Sequence, residues 1–210
     1  DVQDGKAFLT NEATDTINFR LLNGLKAKNP DLKIFISIGG WTWSGKFSDA
    51  VLTANGRKAF AQSAVQIMHR YNLDGVDVDW EYPAIPGYEG NIYRPEDKQN
   101  FTLMFQAIRQ ELDSLKKQTN KEYLLTAAVG GFQKYIDNTE MDKVQQYLDY
   151  VNVMTYDYYN KGKAAHHTNL YASDRYESPK SADATIKAFV AAGVPIEKLV
   201  MGIAFYGRTF

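Results

Sequence analysis

The sequence predicts an α/β fold of parallel βαβ units curved into a partial barrel, and three observations carry that prediction. Five short apolar strands alternate with amphipathic helices along 210 residues, the order of parallel βαβ construction. In each strand one face is aliphatic and the other small or polar. A doubly wound open sheet would need both faces apolar, whereas a barrel turns one toward its helices and the other toward its lumen. The residues able to do chemistry also fall at the C-terminal ends of strands, where such barrels carry their active sites. Five strands do not close an eight-stranded barrel, so residues 1–210 are expected to form one partial barrel domain.

Taken in order, residues 15–27 read as a helix with Ile17, Leu21, Leu22 and Leu25 along one side, closed by Asn29-Pro30. A strand over 33–41 places Ile34, Ile36 and Ile38 on a face that should meet a helix, and Phe35, Ser37 and Gly39 on the other. Residues 57–71 form a second amphipathic helix, which leads into a strand over 73–83. A loop rich in Gly, Pro and Tyr follows to about 95, and Glu96-Asp97 opens a long helix to 117 with acids suited to its dipole. In the strand over 123–130, Leu125, Ala127 and Val129 oppose Thr126, Ala128 and Gly130. A short helix over 140–147 precedes a strand over 150–157, in which Val151, Val153 and Thr155 oppose Asn152, Met154 and Tyr156. After a polar loop over 158–179 come a helix over 181–192, the stop Gly193-Val194-Pro195, and a strand over 199–206 whose small or polar face is Gly202, Ala204 and Tyr206.

The strand over 73–83 is the informative one. Asp77, Asp79 and Glu81 share one face, while Val76, Val78 and Trp80 share the other. Three aligned carboxylates repel one another and resist leaving water, so a strand serving only the core has no reason to hold them. Their Cα atoms step about 6.7 Å each, which places the outer two roughly 13 Å apart, too far for all three to grip one metal ion. Adjacent members can still share a proton, which raises the pKa of one of them.

Composition removes other function classes. A net charge of -1 from 24 basic and 25 acidic residues offers no footprint for nucleic acid or an anionic membrane. The absence of cysteine excludes disulfides and thiolate metal sites. No apolar run reaches the length of a membrane span, and Asp1-Val2-Gln3-Asp4-Gly5 lacks the parts of a signal peptide, so any export signal is expected to have been removed or to lie outside this sequence. The 14 Tyr and 3 Trp suit stacking against sugar faces. His166 and His167 lie in a polar loop without a third ligand, so a metal site is not expected. The Asn100-Phe101-Thr102 sequon falls inside a helix and reads as incidental.

The stretch Asp74-Gly75-Val76-Asp77-Val78-Asp79-Trp80-Glu81 resembles the DGxDxDxE signature of family 18 glycoside hydrolases. Ser37-Ile38-Gly39-Gly40-Trp41 resembles the family's SxGGW strand, Met154-Thr155-Tyr156-Asp157 its MxYD strand, and the run from Gly202 to Arg208 its GxxxYGR strand. The resemblance implies a chitinase-type (β/α)8 TIM barrel of which this chain supplies about strands 3 to 7. It also implies a secreted enzyme acting on chitin or chito-oligosaccharides, without cofactor or metal. In that scheme the substrate's own acetamide attacks the anomeric carbon, giving retaining hydrolysis through an oxazolinium intermediate. This suits the spacing, because two neighbours on one strand do not flank a sugar ring as a two-carboxylate retaining mechanism requires.

We assign the proton donor to Glu81, at the strand's mouth, with Asp79 supporting it. The resemblance implies that Asp79 binds the acetamide N–H, that Asp77 modulates Asp79, that Tyr156 donates to the acetamide oxygen and that Asp157 holds the distorted sugar. It further implies room for the N-acetyl group at Gly39, Gly40, Ala128 and Met154, and sugar contacts from Tyr206 and Arg208. Trp41 and Trp43 are candidate sugar platforms, and Trp80 suits either a platform or the core. Two alternatives share the acidic strand: an endo-N-acetylglucosaminidase acting on N-glycans, and an inactive chitin-binding lectin. The SxGGW and WEYP runs favour chitinase over the first, and retention of Glu81 counts against the second.

Overall fold

The alternation of aliphatic and small residues resolves into a parallel sheet in the computed structural model, which describes residues 1–158, 165–174 and 180–207. Before the sheet stands an element that is not among the strands and helices predicted above. Strands β1 (Val2–Gln3) and β2 (Lys6–Ala7) form a hairpin, turned by Asp4 and Gly5 at φ 50° and 73°. Two successive positive φ values are what an Asp-Gly hairpin turn supplies. Val2 and Ala7 are buried, and the Ala7 N–H donates to Ser63 Oγ at 2.9 Å.

Helix α1 (Glu12–Gly24) forms as expected and continues as a 3-10 turn over Leu25–Ala27, with its apolar side turned outward. Ile17, Leu21, Leu22 and Leu25 are exposed. The helix is instead pinned by Phe19, packed on Tyr71 with centroids 5.1 Å apart, and by Asn23, whose amide donates to Tyr71 O at 3.0 Å. Glu12, Phe19 and Asn23 recur on one helical face, and the Tyr71 hydroxyl donates to Glu12 at 3.0 Å. One ring contact and two polar ones therefore set the helix's rotation, against its apolar stripe.

The five strands β3 (Phe35–Gly39), β4 (Gly75–Asp79), β5 (Leu124–Gly130), β6 (Tyr150–Met154) and β7 (Leu199–Met201) pair in parallel in that order. The aliphatic faces of β3 to β6 form the core, while Val200 and Met201 of β7 are exposed. Val76, Val78, Leu125, Ala127, Val129, Val151 and Val153 are fully buried in one cluster with Phe60, Ala61, Ala64 and Met68 of α3 (Ala54–Arg70), and with Phe101, Met104, Phe105 and Ile108 of α4 (Asp97–Thr119). Trp80 belongs to this layer, 1% exposed and stacked on Phe47 of α2 (Phe47–Ala50) at 5.2 Å and 15°. Burial of Val76, Val78 and Trp80 at about 1.5–3 kcal/mol each anchors β4 outward, which fixes its acidic face inward. The register sets Ser37, Asp77 and Thr126 side by side across β3, β4 and β5.

Further on, α5 (Gln133–Asp137) was not anticipated, α6 (Met141–Val144) is shorter than the helix predicted over 140–147, and α7 (Ala182–Ala191) is capped by Ser181. Four strands end earlier than predicted, β3 at Gly39 and β4 at Asp79 where 41 and 83 were expected, so that Glu81 lies just beyond its strand. The ladder of β6 stops at Met154, where the Thr155 N–H turns back to Val153 O at 2.9 Å, and Asp157 takes φ 59°. The ladder of β7 stops at Met201, after which Gly202 is held to β6 through Val153 O and Thr155 Oγ1 at 2.8 and 2.7 Å. A Cβ at Gly202 would lie 2.8 Å from that carbonyl oxygen and from the Tyr156 ring, so only glycine permits this approach.

At the opposite end of the sheet Asp74 is nearly enclosed. It receives Lys26 at 2.6 Å, Lys121 at 3.0 Å and the Ile34 N–H at 2.9 Å. Burial alone would raise its pKa, but these partners outweigh that and hold it below the ordinary value. Asp74→Ala should lower unfolding free energy by about 3 kcal/mol, because it strands a buried N–H and two lysines. In the wild type this contribution is complete above pH about 4 and is lost as pH falls through the lowered pKa. Urea unfolding at pH 7 and pH 3 checks both parts, since the variant's deficit should shrink at the lower pH.

Candidate active site

The strand ends converge on one opening. First along β4 is Asp77, which accepts hydrogen bonds from three other strands: Ser37 Oγ at 2.7 Å, Thr126 Oγ1 at 2.5 Å and Asn152 Nδ2 at 3.2 Å. Next along β4, Asp79 is only partly exposed, and its Oδ1 is enclosed without a hydrogen-bond partner among the described residues. Burial first, then the charges of Glu81 and Asp77, push its pKa up to about 7. The glycines of the SxGGW run make this geometry possible. Gly39 and Gly40 take φ 110° and 102°, and a Cβ on Gly39 would stand 2.0 Å from Asp79 O. Gly40 N–H donates to that same oxygen at 2.7 Å.

Glu81 is 8% exposed and is joined to Tyr82 by a cis peptide bond. Its backbone is fixed on both sides. The N–H donates to Ser44 Oγ at 2.9 Å, and the carbonyl accepts from Asn91 Nδ2 at 3.1 Å. Ser44, 1% exposed, in turn reaches Gly40 O at 2.8 Å and Asp79 O at 3.1 Å, which ties β3 to β4 at the acidic end. Burial raises the Glu81 pKa, a hydrogen bond from Tyr82 opposes this, and the Asp157 charge adds to it. A carboxyl enclosed in this way can hold a proton and deliver it.

Glu81 shares a cavity of about 320 Å³ with Tyr82, Phe132, Met154, Tyr156 and Asp157. The Tyr156 hydroxyl is raised by burial and by the charges of Asp79, Glu81 and Asp157, so it remains a donor. Asp157 Oδ2 accepts from Tyr206 at 2.8 Å, and the rings of Tyr156 and Tyr206 meet edge to face at 6.1 Å. Trp41 does not line this cavity but is half exposed beside Tyr82, with edge contacts to Tyr82 and Tyr88 at 6.2 and 6.1 Å. Trp43 is equally exposed. Ala128 lies on the inner face of β5, paired with Asn152, while Arg208 lies outside the described residues.

Glu81, Met154, Tyr156 and Asp157 thus meet at one cavity, Gly39 and Gly40 lie against Asp79, and Trp41 borders Tyr82. Sequence reasoning missed the donors to Asp77, although Ser37, Thr126 and Asn152 were legible as polar residues on inner faces. It also missed Ser44 and Asn91, whose bonds span 37 and 10 residues and carry no periodic signal.

Comparison with known proteins agrees with this architecture. The family model described as glycosyl hydrolases family 18 matches residues 1–210. Chitinase A1 of Niallia circulans is 43% identical over 99% of this chain and 31% of its own length. Among solved structures, chitinase ChiA74 from Bacillus thuringiensis superposes with a TM-score of 0.85 at 44% identity, covering 89% of this chain and 30% of that one. A family 18 N-acetylglucosaminidase from Paenibacillus barengoltzii superposes with a TM-score of 0.90 at 45% identity, covering 98% of this chain and 59% of that one. The chain therefore spans between 30% and 59% of the length of these relatives.

Proposed function

Because the chain belongs to family 18 of the glycosyl hydrolases, we propose that the protein is a chitinase, hydrolysing β-1,4-linked N-acetylglucosamine polymers with retention of configuration. The same membership makes its five-stranded sheet an arc of a (β/α)8 barrel. The observation that carries the reading is the enclosed Glu81 carboxyl, raised in pKa, facing Tyr156 and Asp157 across one cavity. On this reading Glu81 gives its proton to the leaving oxygen as the substrate's acetamide oxygen closes on the anomeric carbon. Its carboxylate then takes a proton from the water that opens the oxazolinium.

Asp79 holds the acetamide N–H and balances the positive ring, and Asp77 sets the charge that Asp79 feels. Tyr156 donates to the acetamide oxygen, and Asp157 holds the distorted sugar. Gly39, Gly40, Ala128 and Met154 leave space for the N-acetyl group, Trp41 offers a stacking face, and Tyr206 and Arg208 contact sugar on the cleft wall. Likeness to the N-acetylglucosaminidase favours a second reading, in which single N-acetylglucosamine units are released.

The test is hydrolysis of chito-oligosaccharides and of a high-mannose glycopeptide by a closed barrel carrying this chain, with the products identified. Release of oligomers supports the chitinase reading, release of monomers alone supports the second, and glycopeptide cleavage in place of both defeats them. A chito-oligosaccharide bearing a free amine in place of the acetamide at the cleaved sugar should turn over about a thousandfold or more slowly, because the tethered nucleophile is gone. Comparable turnover of that substrate points to a nucleophile supplied by the protein.

A further inference from the structure

We propose that His167 is a positioning residue for the Asp157 carboxylate and, through it, for the sugar ring that Asp157 is assigned to hold; the inference rests on the function proposed above. Nothing in the sequence around His167 marks it, since it lies ten residues beyond Asp157 in a loop. The fold brings it back. The Tyr158 N–H donates to His167 O at 3.1 Å, which returns the chain to the place where it left β6 and sets the imidazole beside the carboxylate.

His167 Nδ1 stands 3.7 Å from Asp157 Oδ1, and its ring lies on Tyr206 with centroids 5.3 Å apart. The two oxygens of Asp157 therefore face different groups, Oδ1 toward His167 and Oδ2 toward the Tyr206 hydroxyl at 2.8 Å. The His167 side chain is 16% exposed, and Nδ1 is enclosed without a hydrogen-bond partner among the described residues. An enclosed ring nitrogen so placed is costly unless it finds an acceptor. The gap is longer than a hydrogen bond, and contacts of this kind tighten when substrate fills a site. The tilted contact with Tyr206 keeps the imidazole in reach, and the closing Nδ1–H to Oδ1 bond fixes the carboxylate's rotation about its Cβ–Cγ bond. Asp157 then presents one orientation to the sugar.

The test compares His167→Phe, which keeps a ring on Tyr206 but removes the nitrogen, with His167→Asn, whose amide nitrogen can stand where Nδ1 was. His167→Phe should lose about ten- to a hundredfold in kcat/KM on chito-oligosaccharides, mainly in kcat, without a change in thermal midpoint. His167→Asn should recover most of the loss. In an Asp157→Ala background, His167→Phe should cost nothing further, because it acts through the carboxylate. A wild-type-like His167→Phe, an Asn variant no better than Phe, or an undiminished loss in the Asp157→Ala background each overturns the proposal. The imidazole 15N resonances give a readout without turnover: Asp157→Asn should shift the Nδ1 signal of His167, and an unmoved signal overturns the contact itself. A wild type inactive on every glycan, with that shift observed, defeats the proposed function and leaves the contact standing.

Discussion

Replacing Glu81 by glutamine should abolish hydrolysis of chito-oligosaccharides while leaving their binding intact. General acid catalysis contributes about 10²- to 10⁴-fold, and an amide of the same shape cannot deliver a proton. The loss should appear in kcat, at about a thousandfold or more, with the dissociation constant from calorimetry little changed. The scaffold gives reason to expect an undisturbed fold. Ser44 and Asn91 hold the backbone N–H and carbonyl of residue 81, not its side chain, and the Tyr82 hydroxyl can donate to an amide oxygen as it does to the carboxylate. Removing an enclosed ionisable group should also spare its desolvation cost, so the thermal midpoint should hold or rise. Undiminished turnover in Glu81→Gln would remove Glu81 as the acid and move the assignment to another member of the row.

What the sequence disclosed follows from how local its signals are. The inward face of β4 and the outward face carrying Val76 and Val78 were legible because period-two alternation is written in consecutive residues. Trp80 was not decided, since an indole at the end of a strand suits either side, and Phe47 and Phe101, distant in sequence, resolved it as core. The rotation of α1 was not legible for a related reason: it is set by Phe19 on Tyr71 and Asn23 on the Tyr71 carbonyl, contacts distant in sequence, while Ile17, Leu21, Leu22 and Leu25 stay exposed. Strand ends were overrun at β6 and β7 because the apolar pattern continues past Met154 and Met201, while the ladder yields to a tight turn at Thr155 and to the approach at Gly202. His167 lay beyond reach altogether, since its place depends on how a loop returns to the strand it left.

Asp79→Asn should cost about a hundredfold in kcat and should also change how stability responds to pH. The rate effect follows from the assigned role, since a neutral amide no longer balances the positive oxazolinium, and removing one such electrostatic partner costs about 10²- to 10³-fold. The pH effect follows from a carboxyl whose pKa is pushed up to about 7 by burial, Glu81 and Asp77. An unfolded aspartate loses its proton near pH 4, so between about 4 and 7 the folded protein holds a proton that the unfolded chain has released. Stability must fall as pH rises through that window and level off above it. In Asp79→Asn this contribution vanishes, so the thermal midpoint should decline less between pH 4 and 7.5; the buried acids Glu81 and Asp97, also raised, keep the slope from disappearing. Glu81 owes its raised pKa to burial and the Asp157 charge, opposed by Tyr82, so an amide in place of a protonated Asp79 should leave the basic limb of the residual kcat profile where it is below pH 7. A midpoint curve parallel to that of the wild type would mean that Asp79 carries no proton in this range, and a basic limb moved toward acid would mean that its charge, not only burial and Asp157, holds the proton on the acid.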